Sequence, residues 1–245
     1  MAGRELPPSS PFAGDDGSAD PAVAAALTAY GAGTGPLADV VRALAGTRVL
    51  VPVLAELEAA DVVVHDGHEH TVDKEASAGI VALRTPDGRT ALPVFTSVAA
   101  MAAWRSDARP VPSDVARAAL SVVSEGWDVV VVDPGGPVTA LVPRPAVWAL
   151  AQQVPWAPAV VDGRVDDEVD RAVRTALAPV GGVVEASTVP GARAEVAVAL
   201  ALVAGLDRAG LDAVLAQVNA ALAADETIAT RVDSVELRLR AARPA

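Results

Sequence analysis

Cysteine is absent from the 245-residue chain, which removes disulfides, thiolate nucleophiles and cysteine-ligated zinc at once. Lysine occurs only at Lys74, asparagine only at Asn219, and isoleucine only at Ile80 and Ile228. With Ala, Val, Arg, Gly and Pro abundant, this pattern looks like codon bias in a high-GC bacterial genome. Positive charge is scarce too: 19 Lys+Arg stand against 31 Asp+Glu, a formal net charge of −12. Such a chain repels a phosphate backbone, which argues against nucleic acid or an anionic membrane as partner. Long apolar runs are also missing. The longest, Val196 through Leu206, is about half of the ~20 residues a bilayer-spanning helix needs. The opening MAGRELPPSSPFAGDDGSAD has no apolar core of a signal peptide. A soluble, cytoplasmic protein is expected.

What is present is a chain that must fold: 52% of its residues are hydrophobic and 20% charged, far from a disordered composition. Residues 1–20, rich in Pro, Gly, Ser and Asp, read as a disordered tail. Residues 21–153 read as a first α+β domain, 154–165 as a Pro-rich linker and 166–245 as a second, smaller α+β domain. Each is expected to be a mainly antiparallel sheet packed with helices. In the first, PAVAAALTAY and GPLADVVRAL predict helices, the former with Pro21 in its first turn. SAGIVALRTPDGRTALPVF predicts a hairpin about its Pro-Asp-Gly turn. WDVVVVDPGGPVTALV repeats the strand, turn and strand. In the second, DDEVDRAVRTALAPV and LDAVLAQVNAAL predict amphipathic helices, and VVEASTVP and AEVAVALALV predict strands. VDSVELRLR alternates Val235, Leu237 and Leu239 inward against Glu236, Arg238 and Arg240 outward.

Few residues invite chemistry. His65, His68 and His70 all fall in HDGHEH with Asp66 and Glu69, a donor set able to hold zinc or nickel if the segment were helical. Gly67 and the lack of periodicity favour a solvated loop, and no metal or cofactor is assigned. In LPVFTS, Phe95 beside Thr96 and Ser97 could present a binding surface at a strand-to-helix junction. The plainer alternative buries Phe95 and uses Thr96 or Ser97 as a helix cap. Asp133 ends an apolar strand as a metal- or ribose-binding acid would, but the Pro-Gly-Gly-Pro after it spells a reverse turn. No G-x-S-x-G, G-x-G-x-x-G or P-loop occurs, and Ser97 has no histidine placed to serve it. Trp104, Trp127 and Trp148 lie in or beside core segments. Trp156, between Pro155 and Pro158, either docks the domains or anchors a partner.

Three stretches, DGRTALPVFTSVAAMAAW, WDVVVVDPGGPVTALV and LDAVLAQVNAALAADETIATRVDSVELRL, resemble the SseB family of "enhanced serine sensitivity" proteins. The first two resemble its N-terminal domain and the third its C-terminal domain. The resemblance implies no catalytic residue, since the family is named for a phenotype. The resulting expectation is a non-catalytic interaction or regulatory module that uses Phe95, Thr96, Ser97 and Trp156 to engage an unidentified protein. The alternative is a small-molecule or metal binder linked to amino-acid metabolism.

Overall fold

A computed structural model describes residues 12–54 and 81–242. The chain divides into two compact units, Met1–Pro155 and Trp156–Ala245. In chain order the first contains α1 (Pro21–Gly31), α2 (Leu37–Leu44), β1 (Arg48–Val53), β2 (Leu83–Arg84), β3 (Thr90–Val94) and α3 (Val98–Trp104). It continues with β4 (Arg109–Asp114), α4 (Val115–Ser124), β5 (Val129–Val132), β6 (Ala140–Val142) and α5 (Arg144–Gln152).

The α+β class holds and the sheets are mainly antiparallel, with one parallel pair in each unit's larger sheet. The first unit's larger sheet has the order β2-β3-β5-β6. The β2–β3 and β5–β6 pairs are antiparallel, as their Pro-Gly turns predict. β3 and β5 are parallel, because the intervening α3-β4-α4 segment supplies the long crossover that parallel strands require. β1 meets this sheet through a bridge between Leu50 and Phe95 and pairs along its length with β4. β4 departs from expectation, since RPVPSD carries Pro110 and Pro112, which normally oppose a strand. They are tolerated because, among the described strands, β4 has a neighbour on one side only.

The helices bury Val40, Val41 and Leu44 of α2, Ala118, Ala119 and Val122 of α4, and Ala146, Val147 and Leu150 of α5. Asp20 caps α1 by accepting from the N–H groups of Ala22 and Val23. The disordered tail expected over 1–20 therefore does not include its last residues. Its last part is bound to the unit, since Arg48 Nη2 donates to Asp15 Oδ1 at 2.8 Å and to the Ser18 carbonyl at 2.6 Å, while Val98 N–H donates to Gly17 O at 2.9 Å.

The second unit contains β7 (Val160–Val161), β8 (Arg164–Val165), α6 (Asp167–Leu177), β9 (Val183–Pro190) and β10 (Val196–Leu202). α7 (Arg208–Ala224), α8 (Glu226–Arg231) and β11 (Val235–Ala241) complete it. The linker expected over 154–165 thus includes a hairpin. Asp162 and Gly163 both take positive φ, 50° and 71°, the turn that Asp-Gly between apolar residues favours. The main sheet has the order β11-β10-β9, with β10 antiparallel to β9 and parallel to β11. Val196, Val198, Leu200 and Leu202 of β10 meet Val169, Val173 and Leu177 of α6 and Val214, Val218 and Leu222 of α7 in one core. Arg231 fastens the start of α6. Its guanidinium donates to the capping Asp166 and to Glu168, both at 2.9 Å, and to the Pro158 carbonyl at 3.2 Å.

Candidate functional site

The carboxyl ends of parallel β3 and β5 lie side by side, and there the chain spends its few distinctive residues. Such a strand end is where open α/β sheets place ligands. Phe95 follows β3, is fully buried and exchanges both backbone hydrogen bonds with Leu50, at 2.8 and 2.9 Å. Its ring centroid lies 5.2 Å from that of Trp104, tilted by 36°, and Leu50 and Met101 complete the cluster. The ring therefore offers no surface to a partner. LPVFTS takes the plainer of its two readings on this point.

Thr96 and Asp133 form a buried couple. Asp133 Oδ1 accepts from Thr96 N–H at 2.8 Å, and Oδ2 accepts from Thr96 Oγ1 at 2.7 Å. Burial raises the Asp133 carboxyl above the usual carboxylate range, and the two Thr96 bonds oppose that rise. Asp133 sits at φ 48°, a left-handed conformation that Asp tolerates better than most residues. Its backbone is also satisfied: the N–H donates to Val94 O at 2.9 Å, and the carbonyl accepts from Gly136 N–H at 3.1 Å and Thr139 Oγ1 at 2.9 Å. The reverse turn is present as predicted. What local reading missed is the acid's second task, tying the end of β5 to the end of β3. A Thr two residues past the neighbouring strand is the available signal, but only the parallel pairing makes them neighbours.

Ser97 caps α3, its Oγ accepting from Ala100 N–H at 3.1 Å. The outer boundary is Arg48, whose Nη1 donates to the Thr96 carbonyl at 2.6 Å and whose Nε pairs with Asp15. That guanidinium, followed by the Gly17 N–H, holds Asp15 below the ordinary carboxylate range. The structure thus brings Phe95, Thr96 and Ser97 together with Trp104, Asp133 and Arg48.

Trp156 opens the second unit, half-buried, with an indole N–H that is shielded and meets no acceptor among the described residues. His65, His68 and His70 lie outside the described residues. Among those described, no cluster of three or more His, Asp or Glu is arranged to hold a metal ion. Trp148 departs from expectation: although on α5, it is 41% exposed, and Leu120 on the adjoining α4 is 54% exposed.

These features define a class, a two-unit α+β chain whose first unit closes its parallel strand ends with its own side chains. The particular family follows from comparison: the family model for the SseB protein N-terminal domain matches residues 23–149, more than half of the chain, and the chain belongs to the SseB family. The match runs from within α1 to within α5 and stops before the second unit. No curated protein and no solved structure matches the chain. No described helix is long and apolar enough to cross a membrane.

Proposed function

We propose that this SseB-family chain is a non-catalytic interaction module that engages a protein partner in the cytoplasm. The observation that carries this reading is the occupation of the strand-end junction by its own groups. Both Asp133 oxygens are bound to Thr96, and Ser97 is committed to α3. A catalytic acid or nucleophile needs a free, reachable atom, and these three side chains are engaged in holding the fold. The recognition surface accordingly shifts from Phe95 to the exposed apolar residues of α4 and α5. There Trp148 and Leu120 are exposed, and an accessible Trp is the side chain most enriched among binding hot spots.

The test is affinity capture from the native lysate with a histidine-free tag, comparing the wild type with a Trp148→Ala protein of unchanged thermal stability. Enrichment of a protein by the wild type and its loss in the variant support the reading. Equal enrichment by both, or none by either, rejects it.

A further inference from the structure

β11 is the outer strand of the second unit's sheet, and among the described strands only β10 pairs with it. Its exposure is unusual for the sequence it carries. Val235 is 37% and Leu239 45% exposed, although both project from the face that holds the core, and between them Leu237 packs on that core. The alternation read from VELRLR is therefore present, but at an edge that leaves part of its apolar face uncovered.

The ladder fixes which backbone groups are available. Val196 N–H donates to Ser234 O at 3.1 Å and Ala242 N–H donates to Leu202 O at 2.7 Å. In a parallel ladder this turns the backbone groups of Ser234, Glu236, Arg238, Arg240 and Ala242 toward β10. Those of Val235, Leu237, Leu239 and Ala241 point to the open edge.

We propose that this edge pairs with the same edge of a second copy of the chain, antiparallel about a two-fold axis at Leu237. The sequence is self-complementary in that register. Leu237 faces Leu237, and Val235 faces Leu239 in both directions. All of these positions have outward backbone groups, so they exchange the closely spaced hydrogen bonds of an antiparallel ladder. The exposed Val235 and Leu239 then cover each other on one face. On the other face Glu236 stands opposite Arg238 of the second copy, and the reverse pair closes a square of alternating charge with the Glu236–Arg238 pair already present within each chain. Charged residues on an edge strand ordinarily keep copies apart. Here the order Glu-x-Arg makes them complementary. A register centred on Arg238 would set that arginine against itself, which is unfavourable for directly opposed like charges.

Sedimentation velocity of the full chain over a concentration series tests this, with salt as a second axis because the charged pairs are exposed. The wild type is expected to show a monomer–dimer equilibrium. Arg238→Glu, which sets Glu against Glu at two places, should weaken it by at least about ten-fold. Glu236→Lys should do likewise, and an equimolar mixture of the two folded variants should dimerise again, because each pair then joins opposite charges. The register has its own check in a chain without cysteine. The double variant Ser234→Cys/Arg240→Cys places cysteines directly opposite across the two-fold, close enough for a disulfide, and should cross-link into a covalent dimer that neither single variant forms. A monomeric wild type, a dimer indifferent to Arg238→Glu, a mixture that fails to re-form, or single variants that cross-link equally well would each overturn the proposal.

Discussion

The strand-end junction of the first unit and the edge strand of the second are built from similar materials, a short apolar strand with acids and hydroxyls nearby, and they come out opposite. At the junction the strands β3 and β5 are interior, both have neighbours on each side, and the polar groups at their ends have been turned inward and paired: Asp133 with Thr96, Ser97 with α3. At β11 the strand has one neighbour among the described strands, and Val235, Arg238 and Leu239 are left exposed. The lesson is that position in the sheet, more than residue type, decides whether a group is consumed by the fold or offered outward. The family match covers the consumed region.

The largest way to break the comparison is at Phe95. Truncation of this fully buried ring to alanine should cost about 3–5 kcal/mol in chemical denaturation, the usual range for a core Phe. Asp133→Ala comes next. It leaves the Thr96 N–H and hydroxyl buried without an acceptor, at about 3 kcal/mol in total. Asp133→Asn keeps a carbonyl for the Thr96 N–H and should cost far less, and a comparable loss in both variants would show that the charge, not the bonds, is what matters there. Smaller again is Ser97→Ala, about 1 kcal/mol for a lost cap, read from the shift in denaturation midpoint. At the open edge Leu239→Ala should stay within about 0.5 kcal/mol at low concentration, as expected of a surface position.

Acid separates the two regions by sign. Burial raises the Asp133 carboxyl, so its favourable contribution is present at low pH and is lost as pH rises through the folded value. Glu236 is the reverse. The Ala192 N–H first, then the Arg238 guanidinium and the Arg193 N–H, lower it from 4.5 to about 2. Its contribution is present above 4.5 and lost as pH falls toward 2. Between neutral pH and that range, the stability advantage of wild type over Glu236→Gln should shrink on acidification, while the wild type should gain on Asp133→Asn. Denaturation midpoints at several pH values check both, and slopes of the same sign would refute the assignment.

Much of this architecture was legible locally. The Pro-Asp-Gly hairpin, the helices with Pro21 and Ser97 at their starts, and the apolar stripe of α7 all follow from turn chemistry and periodicity, which neighbouring residues settle among themselves. β4 was hidden by Pro110 and Pro112, because proline is compatible with a strand only when one side is free, and that is a fact about pairing. The β7–β8 hairpin has a turn signal in Asp162-Gly163 between apolar residues, but the prolines just before it give the stretch the composition of a linker. The resemblance of the first domain was carried by LPVFTS, yet the role of its residues was not. Phe95 is core, and Thr96 and Asp133, 37 residues apart in sequence, are partners, only because β3 and β5 are parallel neighbours. Edge status of β11 is non-local in the same way: the alternation of VELRLR is visible, but not which side of the strand remains unpaired.

The most direct test of the claim that the junction is structural is a thermodynamic double-mutant cycle on Thr96→Val and Asp133→Ala, with each protein unfolded in denaturant at neutral pH. A coupling of about 1–3 kcal/mol between the two substitutions is predicted, the range for contacting buried partners. Additive losses, with no coupling between the two side chains, would contradict it and return Asp133 to the list of acids free to act on a ligand.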